Sequence, residues 1–316
     1  MNTDTIEPPT QKKRRLGVEL EKTIGNTPLL YLESISEMLP ENVHAHAKAE
    51  WFNPGGSVKD RAAFGIIKSA EEAGALDNGK TLLDASSGNT ALAYAMIGAS
   101  RGHDVQLCVP ENASREYIRM YKAFGAKVTL TPAAESSDGA IKKARELHRE
   151  FPDRYFYADQ YSNPANWMAH YKTTAPEIWE QTDGQITHFV AGLGTTGTFT
   201  GTSRWLREYN PDISLVSVQP NGPLHGLEGL KHMPSAIVPG IYDDYLADEN
   251  LEIETEVAQS LVKQLARQEG LLVGMSSGAA VAGVLEVGSR LDSGVIVTVF
   301  PDNGRRYINE QFWSEE

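Results

Sequence analysis

Apolar positions along the chain alternate between two rhythms. Short runs rich in apolar and β-branched residues, HAHAKAE (44 to 50), TLLDAS (81 to 86), VQLCVP (105 to 110), KVTLTP (127 to 132) and RYFYAD (154 to 159), predict strands. Between them apolar residues return every three or four positions, as at Ala62, Ala63, Ile66, Ile67 and Ala70, at Ala91, Ala93, Met96 and Ile97, or at Ile118, Met120, Tyr121 and Phe124. That spacing covers one face of a helix. A second series follows: helix 164 to 181, strand 186 to 193, helix 197 to 208, strand 214 to 220, helices 254 to 269 and 277 to 290, and strand 294 to 300. Strand and helix in turn predict an α/β fold of twisted, mostly parallel sheets flanked by helices. Residues 221 to 250 are rich in Gly, Pro and His without a period, and read as a long functional loop with short strands.

At 316 residues the chain exceeds the comfortable size of one hydrophobic core, so two domains are expected. Its 42 acidic against 29 basic residues give a net charge of −13, with no basic stripe interleaved with aromatics, which argues against a nucleic-acid partner. The single cysteine, Cys108, lies in an apolar run and reads as a buried small hydrophobe, which excludes disulfides and cysteine-ligated metal sites. No apolar run approaches the length of a membrane span, and the N-terminus has no apolar signal core, so a cytoplasmic protein is expected. Residues 1 to 16, with the KKRR cluster at 12 to 15, read as a flexible, solvated tail.

Three glycine- and hydroxyl-rich segments carry candidate chemistry. In NPGGSVKDR (53 to 61) a glycine turn leads into a helix that Ser57 can cap, which puts Lys59 in the first helical turn. Unpaired N–H groups and the helix dipole disfavour an ammonium there, as a nucleophilic Schiff-base lysine requires; the competing reading is a solvated lysine paired with Asp60 or a nearby acid. GLGTTGTFTG (192 to 201) follows a strand and opens a helix, so backbone amides and the hydroxyls of Thr195, Thr196 and Thr198 can converge on a phosphate. Its Gly192, Gly194 and Gly197 also fit a dinucleotide fingerprint, but the next strand ends in Gln219 and Pro220 where that motif wants an acid. A purely structural glycine turn is the other alternative. SSGNT (86 to 90) offers Ser86, Ser87, Asn89 and Thr90 at a helix start, suited to a carboxylate or to ordinary capping.

Together with GNTPL (25 to 29), QYSNPAN (160 to 166) and GMSSGAA (274 to 280), these segments stand in the order and spacing of a known family. From about residue 21 to 308 the chain resembles the cysteine synthases and cystathionine β-synthases, fold-type-II pyridoxal-phosphate enzymes related to the tryptophan synthase β fold. HYKTTAPEIWEQTDGQITHF (170 to 189) and GTTGT resemble the cysteine synthase B branch in particular. The resemblance implies a larger cofactor-binding domain of residues 17–47 and 163–316 and a smaller, mobile one of residues 48–162. It implies that Lys59 carries pyridoxal phosphate as a Schiff base, and that Gly194, Thr195, Thr196, Gly197 and Thr198 hold the phosphate. Asn89 would meet the phenolic oxygen, while Ser86, Ser87, Gly88, Asn89, Thr90 and Gln160 would hold the substrate carboxylate. Gly274 and Ser277 would border the site, and no metal is implied.

Departures from the family pattern stand at Asp302 and Asn303, at Ser86 and Ala91, and at Ala175. Asn303 is the expected contact to the pyridine nitrogen, leaving that nitrogen neutral, whereas an Asp302 contact would protonate it. The implied reaction is β-replacement of O-acetylserine by sulfide or another thiol, giving cysteine. O-phosphoserine is disfavoured because Asn221 follows the strand SLVSVQP and no Arg or Lys occurs until Lys231. Cystathionine β-synthase chemistry is the nearest alternative. The resemblance also implies a homodimer and serine acetyltransferase as a partner, and a non-catalytic binding protein is the alternative from another class.

Overall fold

The computed structural model describes residues 17–314. The tail of residues 1 to 16 and its KKRR cluster lie outside them. Ten strands form two sheets among the described residues: β1 (Leu29–Tyr31), β2 (Asn42–Ala49), β3 (Thr81–Ala85), β4 (Val105–Pro110), β5 (Lys127–Thr131), β6 (Tyr155–Tyr157), β7 (His188–Gly192), β8 (Ser214–Pro220), β9 (Glu249–Ile253) and β10 (Ser293–Phe300). The larger sheet runs β1-β2-β10-β7-β8-β9 and the smaller β5-β4-β3-β6. Every neighbouring pair is parallel except β1 on β2, as crossover helices between successive strands require. Residues 48–162 contain all four strands of the smaller sheet, although Lys48 and Ala49 complete β2 in the larger one, paired with Val299 and Phe300.

The helix Lys59–Glu72 buries the expected Ala62, Ala63, Ile66, Ile67 and Ala70. Four of these pack into the core of the smaller sheet with Leu82, Tyr94 and Val109. One residue before the helix, Val58 packs with Phe189, Phe199 and Val299 from the larger sheet. Lys59 therefore sits at the seam between the two cores. The helix Met275–Gly288 is buried on nearly every side, and glycine lets it approach its neighbour: a Cβ at Gly278 would stand 2.1 Å from the Ala258 carbonyl oxygen.

Some elements differ from the pattern reading. The segment 164 to 181 divides into Pro164–Lys172 and Thr174–Gln181, with non-helical Thr173 at φ −129° between them. Pro176 in the first turn of the second helix has no N–H to continue an earlier one. The segment 254 to 269 is helical, but its last residues, Leu265–Glu269, widen into a π turn. Residues 221 to 248 hold no strand; β9 begins at Glu249. The crossover from β5 to β6 carries a helix, Ser136–Glu150, whose buried Ile141 and Ala144 pack under the smaller sheet. Cys108 is fully buried, and burial pushes its thiol up to about 12. No described helix is long and apolar enough to cross a membrane.

Candidate active site

Lys59 is the first residue of its helix. Ser57 does not occupy the cap position, which belongs to Val58, but its Oγ accepts the Lys59 N–H at 3.3 Å. The Val58 N–H donates to the Pro301 carbonyl at 2.8 Å, which ties the turn to the end of β10. Asp60 does not pair with Lys59; its carboxylate turns back to the Gly55 N–H. Only glycine fits there, since a Cβ at residue 55 would lie 2.5 Å from Asp60 Oδ1, and Gly56 follows at φ +80°. The Lys59 ammonium has no hydrogen bond or ion pair with a described residue. Burial lowers its pKa, with the Asp302 charge opposing the shift.

Lys59 opens onto a cavity of about 260 Å³ lined by the 86 to 90 segment, Gln160, Gly194, Thr195, Thr196, Thr198 and Asp302. The segment 86 to 90 leaves β3 and starts the helix Asn89–Arg101. Ser86 Oγ accepts the Gly88 and Ala91 N–H groups at 3.4 and 3.3 Å, so this hydroxyl caps the helix. Thr90 Oγ1 donates to Gln160 Oε1 at 2.8 Å, while Gln160 Nε2 donates to the Ala85 carbonyl at 2.9 Å. Beneath them lies Asp84, whose carboxylate accepts the Gln160 N–H and whose pKa burial raises to about 7.

The loop after β7 turns on Thr196, a non-glycine residue at φ +70°, and runs into the helix Gly197–Tyr209. Thr195 Oγ1 accepts from Asn166 Nδ2 at 3.1 Å, and Thr198 Oγ1 lies 3.3 Å from His170 Nε2. Burial holds that imidazole neutral, with a pKa of about 3. Gly194 and Gly197 line no turn of positive φ; their role is close approach. A Cβ at Gly194 would lie 2.2 Å from the Gly229 carbonyl oxygen, and one at Gly197 would lie 2.0 Å from Asn166 Oδ1. Gly197 stands behind the cavity wall, holding the cradle closed.

Asn303 is not in the cavity wall. Its side chain accepts the Arg305 N–H at 3.1 Å and starts the turn Gly304–Tyr307. Its neighbour Asp302 lines the cavity, but Oδ2 is taken by Asn89 Nδ2 and the Tyr307 hydroxyl, each at 2.7 Å. Oδ1 is buried without a partner beneath Gly274, where a Cβ would collide with it. That carboxyl offers no open oxygen to a ligand, and burial raises its pKa. Ser277, read as bordering the site, is fully buried; its neighbour Ser276 lines the cavity, and its hydroxyl has no hydrogen bond to a described residue. The signal was present in GMSSG, where either serine of a helix start can face a ligand.

Lys231 also lines the cavity. The loop 221 to 248 folds back so that the Lys231 N–H donates to the Leu193 carbonyl at 2.8 Å, beside the threonine loop. Its ammonium lies 5.0 Å from the Tyr161 ring, makes no salt bridge with a described residue, and has a pKa lowered by burial. Counting sequence distance from β8 therefore underestimated this residue. Glu228, on the same loop and also in the wall, has its pKa raised by burial.

This wall fits pyridoxal phosphate: an unpaired lysine, threonine hydroxyls at a helix N-terminus that glycines alone can close, and a free serine hydroxyl meet in one cavity. The dinucleotide alternative gains nothing, since Gln219, next to last in β8, has its side chain accepting the Met233 N–H at 3.0 Å. Residues 20–302 match the family described as pyridoxal-phosphate dependent enzyme. The chain is 48% identical to a cysteine synthase of Aquifex aeolicus over 96% of this chain and 94% of that protein. It is 42% identical to cysteine synthase B of Escherichia coli over 94% and 96%. Its fold superposes on a cysteine synthase of Entamoeba histolytica with a TM-score of 0.91 at 32% identity, covering 100% of this chain and 95% of that one. The chain thus belongs to the pyridoxal-phosphate dependent enzymes, in the family of the cysteine synthases, and its cofactor is pyridoxal phosphate.

Proposed function

We propose that this enzyme replaces the acetoxy group on Cβ of O-acetylserine with sulfide, giving L-cysteine and acetate. The observation that carries the reading is the Lys59 amine, unpaired and lowered in pKa, in one cavity with the threonine loop and the SSGNT helix start. When bound, pyridoxal phosphate supplies an electron sink that acidifies the substrate's Cα–H and lets a β-substituent leave. Lys59 binds the cofactor covalently, and its amine, once released by the incoming amino acid, takes the Cα proton and later returns it. A lowered pKa favours the neutral amine, the form in which a base acts.

Gly194, Thr195, Thr196 and Thr198 hold the phosphate, with Gly197 closing the cradle from behind at the helix N-terminus. Asn89 serves the phenolic oxygen. Ser87, Asn89 and Thr90 have backbone N–H groups without an acceptor among the described residues, which suits them to the substrate carboxylate. Ser86, Gly88 and Gln160 shape that loop through the contacts described above. We assign the pyridine nitrogen to the Ser276 hydroxyl in place of Asn303, because Ser276 faces the cavity and Asn303 is bound to Arg305. A hydroxyl partner leaves the nitrogen neutral. The homodimer, the serine acetyltransferase contact, the mobile smaller domain and the cytoplasmic compartment are proposals carried by the resemblance alone.

The test is cysteine formation from O-acetylserine and sulfide by the purified protein and by Lys59→Ala. Turnover by the first and none by a folded second is expected; turnover by Lys59→Ala would overturn the assignment. Lys231 supports a second reading, in which the leaving group or the nucleophile is an anion such as phosphate, since a cation with no carboxylate partner among the described residues lines the cavity.

A further inference from the structure

Asn89 presents either an oxygen or an NH2 toward Asp302 and the cavity, depending on its amide rotamer. Two residues outside every motif reinforce the choice that Asp302, accepting from this amide at Oδ2, also favours. Arg306 Nη1 lies 2.8 Å from the Tyr117 hydroxyl. A guanidinium only donates, so the Tyr117 oxygen accepts there and its one proton must go elsewhere. Asn89 Oδ1 takes it, at 2.8 Å. With its oxygen engaged, Asn89 turns its NH2 the other way, where it donates to Asp302 Oδ2 at 2.7 Å. The opposite rotamer would set NH2 against an oxygen already accepting from Arg306 and strand the proton of a phenol only 7% exposed. Burial also raises the Tyr117 pKa, so the phenol keeps the proton it donates.

Arg306 is fixed in turn. Its Nη2 donates to the Gly55 carbonyl at 2.8 Å, in the turn that leads to Lys59, and its guanidinium lies 5.3 Å from the Tyr117 ring centre. The relay joins helix Arg115–Ala123 and the 86 to 90 loop, both beside the smaller sheet, to the turn Gly304–Tyr307 after β10.

We infer that Tyr117 and Arg306 are positioning residues that lock the Asn89 amide as a hydrogen-bond donor toward the cavity, in the polarity that an anionic oxygen on the cofactor ring requires. The inference rests on the reading of pyridoxal phosphate at Lys59. Tyr117 also lines the cavity, so loss of the effect once Asn89 is gone is what separates action through Asn89 from direct contact.

The test titrates apoprotein with pyridoxal phosphate and follows the visible band, its pH dependence and the dissociation constant. The proteins are the wild type, Tyr117→Phe, Arg306→Lys, Asn89→Ala and the double variant Asn89→Ala/Tyr117→Phe. Tyr117→Phe should shift the band and weaken binding by about 10-fold, the size of one lost polar constraint. Arg306→Lys, which keeps one donor for the hydroxyl, should shift the band in the same direction by less; it also carries the test should Tyr117→Phe not fold. In the Asn89→Ala background the tyrosine change should add nothing. An unshifted band and unchanged affinity in both single variants, or an undiminished Tyr117→Phe effect without Asn89, would overturn the inference. A wild type with no visible band would instead overturn the Lys59 reading.

Discussion

Arg61 and Glu50 form a two-pronged ion pair, Nε to Oε2 at 2.7 Å and Nη2 to Oε1 at 2.8 Å, two residues along the helix from Lys59. Both are buried, Arg61 at 3% exposure and Glu50 at 0%. Glu177 binds the other side of the guanidinium through Nη1 and Nη2 at 2.7 Å, and Lys48 Nζ meets Glu177 at 2.6 Å. Two cations and two anions cancel, with the Thr27 hydroxyl and Asn53 amide completing the hydrogen bonds. The group ties the first turn of the Lys59 helix to β2 and to the helix Thr174–Gln181.

Removing one member should therefore cost more than any surface pair. Glu50→Leu leaves Arg61 buried beside one carboxylate fewer, for a loss of ~3–5 kcal/mol by urea unfolding. A change below about 1 kcal/mol, the worth of an exposed pair, would show that the network carries no weight.

Asp84 gives a pH signature. Its folded pKa of about 7 lies above the ordinary 3.8, so between those values the folded protein keeps a proton that the unfolded chain has lost. Its contribution is complete below pH 3.8 and is lost as the pH rises through about 7. Asp60, also raised to about 7, adds the same trend. Stability measured from pH 5 to 7 should fall less steeply in Asp84→Asn than in the wild type, by up to ~1.4 kcal/mol per pH unit. Equal slopes would contradict the raised pKa.

Gly194→Ala places a methyl 2.2 Å from the Gly229 carbonyl oxygen, and the loop carrying Lys231 must move away from the threonine cradle. Pyridoxal phosphate should bind about 100-fold more weakly, a difference of ~2.7 kcal/mol, in a fluorescence titration. Wild-type affinity would show that the cradle does not hold the phosphate.

The two readings of the donor divide at Lys231. Lys231→Met should leave turnover of O-acetylserine within about twofold, and, where the site also takes O-phosphoserine, reduce kcat/KM for that donor by about 10-fold or more, as the loss of a charge-assisted contact implies. Equal effects on both donors would remove Lys231 from any role in anion recognition.

Much of this was legible in the sequence because local pattern and local chemistry agreed. Lys59 follows a glycine turn that only glycine can make beside Asp60, and the threonine loop joins a strand to a helix, so both motifs could be placed without long-range contacts. What was not legible depends on folding back. Lys231 lies far along the chain from the threonine loop and reaches it through a backbone bond to Leu193. Lys48, Glu50, Arg61 and Glu177 carry no shared period, so their burial as one neutral group follows from packing alone. Asn303 and Asp302 are adjacent in sequence, but the turn Gly304–Tyr307 recruits the first as its cap and leaves the second in the cavity wall. β9 straddles the end of the segment 221 to 250 and was not read as a strand of its own, because ENLEI buries only Leu251 and Ile253.

The most direct measurement is to reduce the purified holoprotein with borohydride, digest it, and locate the modified lysine by mass spectrometry. A phosphopyridoxyl group on Lys59 is the predicted result. Label on Lys48, Lys231 or any other lysine, with Lys59 unmodified, would contradict the account.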